Sequence, residues 1–247
     1  MPERSTWQGG RGGLLGKDRT RLCQFSPPTF ARMQFGNFSH FCGPQEYEDT
    51  STLDGWTSTL VGVSTLNLID RVGGWLQLLG AGLENDGVNM QQEHESFLPA
   101  ANRDIHFGCS IEMIDVTESD FFIGLATTDT TCIATPPNDL VGFWTHDGDA
   151  NLDFQAQSTA GGAIGAVDTG VDLVDNTTIE LGFTIHGVTD VHTYINGAAD
   201  TTFELGATFV AANIPAVEMG LAFAFLSGEG QPNDLKIDWY SIVQMYI

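Results

Sequence analysis

Positive charge is the scarcest property of this 247-residue chain: nine Lys and Arg stand against 32 Asp and Glu, a formal net charge of −23. The acids are no more abundant than in an ordinary protein, so the imbalance comes from missing bases. Six of the nine, Arg4, Arg11, Lys17, Arg19, Arg21 and Arg32, lie in the first 32 residues, where only Glu3 and Asp18 oppose them and the net is +4. The remainder holds Arg71, Arg103 and Lys236 against thirty acids, a net of −27. A body charged in this way repels nucleic acid and anionic lipid, which excludes both as its partners. Cysteine is also sparse. The four, at 23, 42, 109 and 132, form no CxxC pair in a chain large enough to need no staples, and they read as reduced thiols. No apolar run approaches the roughly 18 residues that span a bilayer. Between Trp7 and Arg21, where an export signal would be apolar, the sequence is rich in Gly and Arg. Helix formers are few, and 29 glycines with many Thr and Asp point to strands and turns.

What is present alternates. Ile179, Leu181, Phe183 and Ile185 share one parity against Glu180, Gly182 and Thr184, the pattern of a strand with one buried side. Phe107, Cys109, Ile111 and Met113 repeat it, as do Met219, Leu221, Phe223 and Phe225, whose small alternates Gly220, Ala222 and Ala224 predict a second crowded face. Leu235, Ile237, Trp239, Val243, Met245 and Ile247 predict a long final strand with one apolar parity. Turn chemistry separates these runs, at Asn85-Asp86-Gly87, Pro136-Pro137, Asp147-Gly148 and Gln231-Pro232-Asn233-Asp234. Asn196-Gly197 is the strongest hairpin signal, because both residues tolerate positive φ. Only Asn89–Phe97 and Phe209–Asn213 offer helical turns. The whole reads as an all-β, two-sheet antiparallel jelly-roll sandwich over residues 49–247, preceded by an extended arm over 1–48. The arm carries Trp7, Phe25, Phe30 and Phe35 among its bases, and rings of that size require a cover.

Chemistry-bearing patterns are few. Asp147, Asp149, Asn151 and Asp153 place oxygen ligands at alternating positions, which suits a hard cation such as calcium, although Leu152 and Ser158 stand where an EF-hand-like loop has Gly and Glu. Glu112, Asp115 and Glu118 are the best carboxylates for glycoside hydrolysis, yet a spacing of three sends the first two to opposite faces of a regular strand. His186 and His192 flank a turn at Gly187–Asp190 and face each other across it. A zinc site needs a third ligand beside such a pair.

The segments DFFIGLATTD (Asp120–Asp129), NDLVGF (Asn138–Phe143), IELGF (Ile179–Phe183), YING (Tyr194–Gly197) and LKIDW (Leu235–Trp239) resemble the concanavalin-like, laminin-G-like jelly rolls of tailed-phage virion proteins. The resemblance implies a non-enzymatic capsid decoration or cement protein, without a cofactor, assembled in the host cytoplasm and residing in the virion. Its partners would be the capsid protein and copies of itself; the arm, which the resemblance does not cover, offers by its charge and rings Arg4, Trp7, Arg11, Lys17, Arg19, Arg21, Phe25, Phe30, Arg32 and Phe35 as the gripping surface. The alternative is a carbohydrate-binding module that touches host glycans through Trp56, Trp75 or Trp144. A glycoside hydrolase is the third reading.

Overall fold

The computed structural model describes residues 33–40, 55–71, 74–159, 167–200 and 211–246. Their strands, in chain order, are β1 (Met33–His40), β2 (Trp56–Val61), β3 (Ser64–Ile69), β4 (Trp75–Ala81) and β5 (Gly87–Gln92). There follow β6 (Arg103–Met113), β7 (Ser119–Ala126), β8 (Leu140–Thr145), β9 (Asn151–Gln157) and β10 (Val167–Asp172). The last are β11 (Ile179–His186), β12 (Asp190–Ile195), β13 (Ala198–Asp200), β14 (Gly220–Ser227) and β15 (Pro232–Tyr246). One sheet runs β13-β12-β11-β6-β15-β4-β3, with β1 also paired to β15; the other runs β10-β9-β8-β7-β14-β5-β2. Every pairing is antiparallel. The chain is therefore a two-sheet concanavalin-like jelly roll.

The alternating residues meet between the sheets. Phe107 and Phe183 from one sheet and Phe143 and Phe154 from the other form a ring cluster, with Phe183 5.0 Å from Phe107, 5.6 Å from Phe154 and 6.4 Å from Phe143. Leu221, Phe223 and Phe225 of β14 join this core, while Ala222 and Ala224 on the opposite side pack under Cys132 and Leu140. The crowded second face foreseen for β14 is thus occupied by the connection between β7 and β8. At the β12–β13 turn, Asn196 and Gly197 have φ of 50° and 73°, the double positive that a two-residue primed turn demands.

Four expectations need correction. Asn89–Phe97 starts inside β5 and forms no helix: β5 is paired on both sides, to β14 and β2, and that pairing outweighs a marginal short helix. Phe209–Asn213 contributes only the 3₁₀ turn Ala211–Asn213 within the described residues. The single parity foreseen for β15 breaks where Ile237 pairs with Ile111 but Trp239 with Ser110. Asp238 is the extra residue of a bulge, so Leu235 and Ile237 face the core before it and Tyr240 and Ile242 after it. Lastly, β1 lies within the segment read as an arm without regular structure, its backbone paired to β15 from His40↔Trp239 to Met33↔Met245. Arg4, Trp7, Arg11, Lys17, Arg19, Arg21, Phe25, Phe30 and Arg32 lie outside the described residues, and of Phe35 only the backbone, opposite Gln244, is described.

Candidate functional site

On β7, β8 and β9, the residues that face away from the core form rows across the sheet. Phe121, Ile123, Val141, Phe143, Leu152 and Phe154 take the inner side, which turns Asp120, Phe122, Trp144, Asp153 and Gln155 outward. Register then sets Phe122 opposite Trp144, Trp144 opposite Asp153, and Asp153 opposite Asp168 of β10. One end of this row is aromatic and covered: Cys132 and Ile133 pack over Phe122 and Trp144. The other end is polar and open, with Asp153 half-buried and Asp168 and His146 exposed.

His146 links the two ends. Its ring lies 5.7 Å from that of Trp144, which is itself 5.4 Å from Phe122. Burial pushes the Asp153 carboxyl above its ordinary value, the charge of His146 opposes this, and Asp168 and Asp149 reinforce it. Burial also raises Asp120, against the Asp147 backbone N–H that donates to it at 2.8 Å, and His146 again acts in the lowering sense. Gln155 and Gln157 continue the outer face of β9, with Gln155 Nε2 donating to Gln157 Oε1 at 2.9 Å. The indole Nε1 of Trp144 is buried without a hydrogen-bond acceptor among the described residues. The open end of the face thus combines carboxyl groups in a proton-retaining environment, an imidazole and amides, which together can hold a polyhydroxylated ligand or move a proton.

An apolar cavity of about 140 Å³ lies on the same side of the sheet, lined by Val61, Val88, Asn89, Cys132, Ile133 and Ala224 among others. Its size falls below the ~300 Å³ of the smaller ligand clefts, and a wall of aliphatic side chains does not suit a sugar.

The residues singled out in the sequence disperse. Asp149 accepts from the backbone N–H of Asn151 at 3.0 Å and from its Nδ2 at 2.6 Å, Asp147 lies against Gly228, and Asp153 belongs to the row above. Asp149 and Asn151 are thus bonded to each other, while Asp147 and Asp153 face other neighbours. Glu112 bonds Arg71 Nη1 at 2.9 Å and Lys236 Nζ at 3.4 Å; burial alone would raise its carboxyl, and the two cations more than reverse that. Asp115 closes its own turn by accepting from the N–H groups of Thr117 and Glu118 at 3.1 and 3.3 Å. Trp56 is in the core, stacked on Phe223 at 5.5 Å. Trp75 is buried with the Arg71 guanidinium 4.3 Å above its ring, and Trp144 is covered as described. No one of the three indoles is an exposed platform. His186 and His192 do meet, at 5.1 Å between ring centres, and the third ligand that the sequence pattern lacked is Asp190. Sequence reasoning missed Asp120, His146 and Asp168; only the register brings His146 and Asp168 to Asp153, and His146 to Asp120.

No family model matches the chain, and neither does a curated protein. Solved structures do. A laminarinase from Flavobacterium sp. UMI-01 superposes with a TM-score of 0.58 at 12% identity, over 84% of this chain and 98% of its own. A protein of unknown function from Shewanella oneidensis MR-1 gives 0.56 at 11% identity, over 96% of this chain and 97% of its own. Arcelin-5, a lectin-like defense protein from Phaseolus vulgaris, gives 0.53 at 9% identity, over 86% and 99%. Identities this low establish a shared fold. They also correct the expectation of a non-enzymatic chain, since the laminarinase carries out glycan cleavage on the same architecture. The laminarinase and the lectin-like protein are not virion proteins and the third has no known function, so the capsid role gains nothing from them.

Proposed function

We propose that this chain recognises glycans through the outer face of its seven-stranded sheet. The observation that carries the reading is the open polar end of that row, where Asp153 and Asp168 lie opposite each other with His146 exposed beside them. Sugar rings present hydroxyls that carboxylates, amides and imidazole can bond. The likeness of fold to a laminarinase and a lectin-like protein supports the same reading. The rival, a virion cement protein gripping a capsid through residues 1–48, draws on the composition of that segment and on the resemblance of the strand segments to virion jelly rolls.

Calorimetric titration of the full chain with laminarin and with mucin O-glycans tests the proposal. Binding to at least one of them, weakened about tenfold or more by Asp153→Asn or Asp168→Ala, is the expected result, since each change removes at least one charge-assisted hydrogen bond. Absence of binding at millimolar sugar, or affinity untouched by both substitutions, refutes it. Reducing ends released during the titration would extend the role from recognition to cleavage.

A further inference from the structure

On the other sheet, the hairpin joining β11 to β12 gathers a donor set that the glycan reading leaves unused. His186 pairs with Asp190 and Thr184 with His192 across the hairpin, so Asp190 and His192, two apart on β12, share a face with His186. One ligand atom from each of the three lies within 4.8 Å of the other two. All are half-exposed, with side-chain exposures of 40% for His186, 38% for Asp190 and 33% for His192. From these positions the geometry points to a mononuclear divalent transition-metal site, of the class filled by zinc, held by His186, Asp190 and His192 with a fourth position open to water.

Three independent features carry this. The first is the ring arrangement. Two imidazoles on one tetrahedral zinc, with Zn–N bonds of about 2.1 Å, have ring centres roughly 5 Å apart. Those of His186 and His192 are 5.1 Å apart, with planes at 79°.

The second feature is an outer partner. Asp104, opposite His186 on β6, brings its Oδ2 within 3.2 Å of His186 Nδ1. A carboxylate there makes Nδ1 the protonated nitrogen and leaves the Nε2 lone pair for a metal, the usual way a protein orients a histidine ligand.

The third is an orphaned acceptor. Oδ1 of Asp190 is buried without a hydrogen-bond donor among the described residues, while Oδ2 lies 3.9 Å from His192 Nε2. A carboxylate oxygen in that situation costs free energy until a cation or donor reaches it. Two nitrogens and one carboxylate favour zinc and its neighbours over calcium or magnesium, which take all-oxygen shells.

The test is calorimetric titration of the full chain with zinc chloride after chelator treatment, beside His186→Ala/His192→Ala, Asp104→Asn and a His94→Ala control. The expected result is one equivalent bound by the parent and by the control, binding about tenfold weaker for Asp104→Asn, and a loss beyond a hundredfold in the double variant. No binding by the parent, or a double variant that binds as the parent does, overturns the assignment. Should the double variant fail to fold, the imidazole NMR signals of the intact chain decide. Zinc-dependent shifts at His186 and His192 support the site, and unmoved signals there refute it. The outcome is independent of glycan binding, because the two sites lie on different sheets.

Discussion

At the scale of single residues, burial has made several polar groups carry the fold in one protonation state. His106, on the outer side of β6, bonds the Thr184 hydroxyl through Nδ1 at 3.0 Å, and its pKa falls to about 4 from 6.5, first through burial and then through the charge of His186, with Asp104 opposing. The folded state thus takes up this proton later than the unfolded one. Stability from the neutral ring is complete above pH 6.5 and is lost as pH falls towards 4, a total on the order of 3 kcal/mol. Urea unfolding in chelator-treated buffer should therefore show the parent losing more stability between pH 6.5 and 4 than His106→Gln does. Equal slopes would mean the ring is solvated. Cys132 and Cys109 are free and buried, and burial pushes the Cys132 thiol up to about 12 and Cys109 higher still. A thiol held in that form is a poor nucleophile. Both should resist an aromatic disulfide reagent at pH 8 and react once urea unfolds the chain, as read by peptide mapping.

At the scale of elements, the strand that decides most is β15. It pairs with β6 from Leu235 to Tyr246, with β4 through its first part and with β1 through its second. Its Lys236 reaches Asp234 Oδ1 at 3.0 Å and Glu112 Oε1 at 3.4 Å, with Asp234 fully buried. Removing the cation strands two buried carboxylates, so Lys236→Met should cost about 3 kcal/mol or more in chemical denaturation. A loss below 1 kcal/mol would show that Arg71 and Gln77 suffice for the two acids. The apolar residues of this strand were legible in the sequence, but its true parity was not. Bulges answer to the partner strand: the extra residue at Asp238 follows from how β15 must pair with β6, and nothing local to Lys236-Ile237-Asp238-Trp239 announces it. The β12–β13 turn is the opposite case, because the φ values of Asn196 and Gly197 are preferences of those two residues themselves.

For the whole molecule, Phe183 is the point where both sheets meet, since its ring neighbours come from β6 on its own sheet and from β8 and β9 on the other. Phe183→Ala should cost roughly 3 to 5 kcal/mol, the range for emptying an aromatic position in a tight core. Thermal unfolding would register this as a single cooperative transition moved down. Two transitions would reveal that the sheets melt separately.

What the sequence by itself determined is the class of fold, the inner residues of most strands and the primed turn. Those follow from a side-chain period of two and from local φ preferences, which neighbours along the chain dictate. Tertiary structure alone decided which outward residues share a surface. Asp120, His146, Asp153 and Asp168 come from separate segments, and His186 gains Asp104 from a strand 82 residues away. Register between strands brings such groups together, and register depends on hydrogen bonding and core packing over the entire sandwich. The scarcity of bases was plain from the outset. The structure showed where two of the few are spent, with Arg71 and Lys236 both committed to Glu112.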